Sequence, residues 1–125
     1  MTAFNFQPRF AGLVESGQKT QTIRKTLRGK VGENVYLYTG QRTKQCRKLG
    51  EGVIRVAPKS FNLIRDPASG AITVLIATLP LGIYWHDDFA RRDGFKDMAG
   101  MVDWFEKQHG LPFNGWLIRW RLNKC

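Results

Sequence analysis

Trp116-Leu117-Ile118-Arg119-Trp120-Arg121-Leu122 alternates without interruption: Trp116, Ile118, Trp120 and Leu122 fall on one side, and Leu117, Arg119 and Arg121 on the other. A period of two with one apolar face predicts a half-buried strand. Upstream, Met98, Met101, Val102 and Phe105 recur at i, i+3, i+4 and i+7, one face of a helix that Gly110 closes. Before it, His86 or Asp87 is placed to cap a short helix ending at Gly94. Three further strands are expected at 34–38, 52–58 and 72–78, punctuated by Gly32, Gly40 and the turn Pro67-Ala68-Ser69-Gly70. Near the N-terminus, Phe6, Phe10, Leu13 and Val14 share one helical face, with Pro8 in the first turn and Gly17 as the stop. Short strands with a few flanking helices predict an α+β fold. The sheet is either open or curled into a small barrel, and periodicity does not choose between them.

The chain has 125 residues, of which 42% are hydrophobic, so a single domain spanning 1–125 with one core is expected. Its formal net charge is +10, and the excess is not spread evenly. Residues 16–50 hold nine cations (Lys19, Arg24, Lys25, Arg28, Lys30, Arg42, Lys44, Arg47 and Lys48) against one acid, Glu33. Such a distribution favours an acidic partner, above all nucleic acid. Cys46 and Cys125 are too few for a disulfide framework or a zinc site, and His86 and His109 lie at no ligand spacing to them. Both thiols are expected to stay free in a reducing cytoplasm. Nothing in the pattern calls for a metal ion or a cofactor. No signal peptide or membrane-spanning run is evident, and a cytoplasmic monomer is expected.

The stretch Gly17-Gln18-Lys19-Thr20-Gln21-Thr22-Ile23-Arg24 is the most polar and basic part of the chain, and it follows directly on the first helix. It suits the holding of an anion. Lysine is a compact charge that a partly dry pocket can push toward neutrality, which makes it a usable base. Threonine is a weak nucleophile unless a base lies beside it. Arginine is the better bidentate clamp for phosphate. The same residues would equally make a solvated basic loop. Tyr36 and Tyr38 stand among Arg42, Lys44, Arg47 and Lys48, a mixture of rings and cations suited to stacked bases and a phosphate backbone. Trp85, in the run Gly82-Ile83-Tyr84-Trp85-His86, is the most plausible exposed aromatic, whereas Trp104, Trp116 and Trp120 lie on apolar faces. Asp93 precedes Gly94 at a helix C-terminus, where a carboxylate opposes the dipole. A residue so poorly placed locally is a candidate for a site.

The spacing Gly17, Lys19, Thr22, Arg24 after an N-terminal helix resembles the hallmark of the ASCH domain family, small proteins related to the PUA-like RNA-binding barrels. Val31-Gly32-Glu33 matches the family's turn into a strand. Asp93-Gly94-Phe95 matches an acid followed by Gly-Phe in a helical insertion before the last strand. The segment from Leu37 to Thr43, with Cys46-Arg47-Lys48, is similar to members from phage and prophage genomes. The resemblance implies a barrel of five to six strands with an N-terminal helix, a helical insertion before the last strand, and a cleft lined by the motif. Family activities centre on RNA: binding, ribonuclease action, or hydrolysis of a modified nucleoside. The 4-acetylcytidine amidohydrolases among its relatives use a lysine, a threonine and a glutamate. The first two match Lys19 and Thr22; the third falls at Asp93, one methylene shorter.

Two readings follow. One is a metal-independent hydrolase acting on RNA or on a modified nucleoside, with Lys19, Thr22 and Asp93 catalytic. In it Arg24, Lys25, Arg28, Tyr38, Arg42, Lys44, Arg47, Lys48 and Trp85 contact single-stranded RNA. The other is a binding module for RNA or a modified base, without chemistry. An acid paired with Lys19 discriminates, because a pocket that only binds anions gains nothing from a carboxylate.

Overall fold

The computed structural model describes residues 2–123. Cys125 lies outside them, and Cys46 is exposed and free. The fold is α+β, with an open mixed sheet of eight strands. The strand read from the alternating stretch, β8 (Phe113–Leu122), holds this sheet together. It pairs antiparallel with β2 (Gln21–Arg24), β4 (Arg47–Ile54) and β5 (Lys59–Arg65). On the β4 side the sheet continues through β3 (Asn34–Thr39) to β1 (Thr2–Phe6), which runs parallel to β3. Beyond β5 lie β6 (Ile72–Ile76) and the two-residue β7 (Leu79–Pro80). Helix α1 (Pro8–Ser16) connects β1 to β2, and α2 (His86–Arg92) and α3 (Met98–His109) precede β8.

β8 does not bury one face throughout. Phe113 and Leu117 are buried, then Ile118 and Trp120, so the covered side changes along the strand. The partners change with it. β5 meets Phe113 to Leu117, and β4 meets Trp120 to Leu122. Four residues between Ile54 and Lys59 stand opposite two on β8, and Pro58, which has no N–H for a ladder, falls in that bend. On one side Phe113 packs 5.0 Å from the Phe105 ring of α3; on the other Trp120 packs 5.7 Å from Phe6 of β1.

Several boundaries differ from those expected. Phe6 ends β1 and does not open α1. The residue before Pro8, Gln7, is extended (φ −62°, ψ 150°), as the proline ring demands, so the helix starts at Pro8. The strand expected at 52–58 is Arg47–Ile54, and the one at 72–78 is Ile72–Ile76. Strands β1, β2, β5 and β7 were not read from the sequence pattern; eight strands form where the family resemblance implied five to six, and no pairing among the described residues closes a barrel. Neither His86 nor Asp87 caps α2. His86 is buried with Nε2 3.1 Å from the Leu81 carbonyl, and Asp87 Oδ1 accepts from the Met98 N–H, tying α2 to the start of α3. α3 is capped by Asp97, whose side chain accepts from the Gly100 N–H at 2.8 Å. Its face Met98, Met101, Val102 and Phe105 is buried as the periodicity requires. Among the described residues no helix is long and apolar enough to cross a membrane.

β2 lies so close to β8 that a Cβ on Gly115 would stand 2.6 Å from the Arg24 carbonyl oxygen and 2.9 Å from the Phe113 ring. Gly115→Ala is therefore expected to destabilise by about 1–3 kcal/mol, the usual range for overpacking. Urea unfolding monitored by tryptophan fluorescence measures it; a stability equal to wild type would show that β2 can move off β8 freely.

Candidate functional site

The chain leaves α1 through Gly17 in the left-handed conformation (φ 85°), and the Lys19 N–H returns to the Leu13 carbonyl. The Thr20 N–H then donates to the Arg92 carbonyl at the end of α2, and the Thr20 carbonyl accepts from the Trp120 N–H of β8. This one residue therefore clamps the motif between the helical segment and the central strand. β2 follows, and its pairing places Thr22 opposite Ile118 and Arg24 opposite Trp116.

Lys19, Thr22, Arg24 and Asp93 line one cavity of about 380 Å³. Lys19, Thr22 and Asp93 are each at most 5% exposed. The Lys19 ammonium donates to the main-chain carbonyl of Asp93 and lies 3.6 Å from its carboxylate Oδ1. It therefore neutralises both the acid and an unsatisfied carbonyl at the negative end of α2. The approach is close because residue 94 is glycine (φ 97°): a Cβ there would stand 3.0 Å from both the Lys19 side chain and the Phe10 ring. Gln21, also buried, donates to the same carboxylate oxygen at 3.2 Å. The ammonium also stands 5.0 Å from the centre of the Phe10 ring and 5.7 Å from that of Phe6.

Burial dominates the electrostatics of this pair. It lowers the Lys19 pKa and raises that of Asp93, while their mutual attraction opposes both shifts. Each group is moved toward its neutral form, so the cost of passing a proton from one to the other is reduced. Arg24 donates through Nε to Thr22 Oγ1 at 3.0 Å and through Nη2 to the Asn5 carbonyl at 3.0 Å. Burial, and next the charge of Arg28, bring the Arg24 pKa down to about 10, which leaves it a cation at neutral pH.

The remaining candidates fall elsewhere. Lys25 is exposed on the cavity rim. Tyr38 and Trp85 do not line the cavity; Trp85 is 55% exposed next to Tyr84 on a short 3₁₀ turn. Arg42 and Lys44 are exposed in the turn between β3 and β4, which is fixed to the cavity rim where the Gln41 N–H donates to Asn5 Oδ1. Arg47 pairs with Glu15 at 2.8 Å, and Lys48 with Glu51 at 3.2 Å, so both are less available to a polyanion than their sequence position implied. The far wall holds Phe95 of the Asp93-Gly94-Phe95 motif together with residues that no motif marked: Trp104, Gln108 and His109. Trp104 and Gln108, like Phe105 and His109, lie four apart on α3, and that spacing was the available signal. The His109 pKa is lowered, first by burial against the aromatic rings and then by Lys25. Among the described residues no three of His, Cys, Asp and Glu converge on a metal-sized point.

The pair makes a specific prediction about stability. In Lys19→Met, Asp93 must ionise alone, and its native pKa rises further above the unfolded value. Over that interval the native state keeps a proton that the unfolded chain has lost, so stability falls as pH rises, by about 1.4 kcal/mol per unit. Denaturant unfolding between pH 4.5 and 7.5 should show this slope steeper than wild type, and Lys19→Met/Asp93→Asn should abolish it. Equal slopes in all three proteins would mean that Asp93 does not depend on Lys19. Compared with family models, curated proteins and solved structures, the chain matches none, so the case for a function rests on the chemistry of this cavity.

Proposed function

We propose that the chain is an ASCH-type, PUA-like domain, its sheet curled part way toward a barrel by the bend between β4 and β5. It binds a nucleoside unit of RNA origin in the Lys19 cavity and hydrolyses it in the manner of a 4-acetylcytidine amidohydrolase. The observation that carries this reading is the buried Lys19–Asp93 pair beside Thr22 in a cavity whose volume, about 380 Å³, lies near the lower end for small-ligand sites. That size suits one nucleoside and not an extended strand. Phe6, Phe10, Phe95 and Trp104 supply apolar walls for a planar base.

In this reading the substrate completes the exclusion of water and the Lys19 proton passes to Asp93. The neutral amine then takes a proton from a water whose oxygen adds to the acyl carbon. The Thr22 hydroxyl accepts from Arg24, leaving its own proton to donate to the developing oxyanion. The C–N bond breaks, the proton on Lys19 goes to the departing nitrogen, and the carboxylic acid product leaves. A ribonuclease follows from the same residues if the group deprotonated is an RNA 2′-hydroxyl and Arg24 faces the phosphate.

Positioned acid–base groups contribute about 10²–10⁴-fold, so Lys19→Ala and Asp93→Asn should each reduce turnover of 4-acetylcytidine by at least about 100-fold. The rate of the wild type should fall at both pH extremes, because the mechanism needs one proton shared by the pair. The assay follows release of cytidine by chromatography, with oligonucleotides tested in parallel. No turnover of either substrate, with cytidine still bound, would make the protein a base-binding module; full rate in Lys19→Ala would remove Lys19 from the chemistry.

A further inference from the structure

Two guanidinium groups, Arg24 of the cavity lining and Arg28 beyond it, share one aromatic ring. The Arg24 and Arg28 guanidinium carbons lie 5.2 and 4.9 Å from the centre of Phe4, which is fully buried. Each is held by a hydrogen bond from Nη2 to a carbonyl of β1: Arg24 to Asn5, and Arg28 to Ala3. These carbonyls are two residues apart on one strand, so the two anchor points are separated by about 7 Å. Neither guanidinium meets a carboxylate within salt-bridge distance among the described residues. The nearby acid, Asp93, is taken by Lys19 and Gln21. Like charges are thus fixed near one another by the backbone, and the charge of Arg28 lowers the Arg24 pKa, a repulsion that a bound anion would relieve. Lys25, on the cavity rim, adds a third cation.

We infer that Arg24 and Arg28 form a phosphate clamp at the mouth of the Lys19 cavity, so that the ligand is a nucleoside bearing a phosphate: a nucleotide or one residue of an RNA chain. This rests on the nucleoside reading above and narrows it. Arg24 joins the two parts, since it also donates to Thr22 inside the cavity. With Nη2 held on a carbonyl, each guanidinium keeps Nη1 for a phosphate oxygen, so the two arginines together supply charge-assisted donors to one phosphate.

The test is calorimetric titration of the wild type and of Arg28→Gln with cytidine, cytidine 5′-monophosphate, cytidine 3′-monophosphate and inorganic phosphate, at two salt concentrations. Hydrogen bonds to charged groups make one monophosphate about 10- to 100-fold tighter than cytidine. Salt should shrink that gap, and Arg28→Gln should close it with the melting temperature retained. A monophosphate no tighter than cytidine, or a gap that survives Arg28→Gln, would overturn the clamp while leaving the base cavity standing. If cytidine fails to bind but phosphate binds in an Arg28-dependent way, the clamp holds and the base cavity falls. If no phosphate-bearing compound binds, the clamp is rejected.

Discussion

The contact between Lys19 and the end of α2 is what the rest of the site depends on. A lysine and an aspartate, both 3% exposed, would each lose far more by desolvation than either gains from a distant partner. They are tolerated because the ammonium meets three features at once: a carboxylate, a helix-terminal carbonyl and the face of an aromatic ring. Those features come from separate parts of the chain, the α2 terminus and α1, and Lys19 itself lies on the link between α1 and β2. Whatever holds the ion pair therefore also fixes the distance between the motif and the helical segment. The glycine at position 94 and the Thr20 main-chain bridge from Arg92 to Trp120 belong to the same constraint.

The pair is one step in a longer arrangement. Phe4 and Phe6, alternate residues of β1, and Phe10 on α1 form a line of rings. Lys19 lies over Phe10 and Phe6, Arg24 over Phe6 and Phe4, and Arg28 over Phe4. The rings bring apolar surface to the core on one side and a weakly negative face to cations on the other. Only the inner cation has a carboxylate. Going outward the line changes from a buried ion pair to an exposed cation with no carboxylate in salt-bridge range among the described residues.

The parts of this architecture that were readable in the sequence are those governed by local chemistry. The α3 face, the Gly17 stop and the β8 strand follow from periodicity and from a residue with left-handed freedom. So did the grouping of Lys19, Thr22 and Arg24, which lie within six residues. β1 was missed because Phe6 and Phe10 fit helical spacing as well as Phe4 and Phe6 fit strand spacing, and only the restriction imposed by Pro8 separates the two. β5 was missed because the pattern was run through Pro58, where the ladder breaks. That Trp104 and His109 form a cavity wall was not legible from their helical spacing alone. Its place opposite β2 is set by the packing of α3 on Phe61, Phe95 and Phe113, contacts between positions distant in the chain.

The position of β8 also bears on the order in which the molecule can form. It is the last strand in chain order, yet β2, β4 and β5 all pair with it. During synthesis the segments that carry Lys19, Thr22 and Arg24 emerge early but have no central strand to dock on until residue 122 has been made. Until then they wait as a basic, partly aromatic chain. Closure of so many non-local pairings at once is slow compared with helix formation. The nascent protein therefore exposes its most basic segment before the strand that shapes the cavity exists.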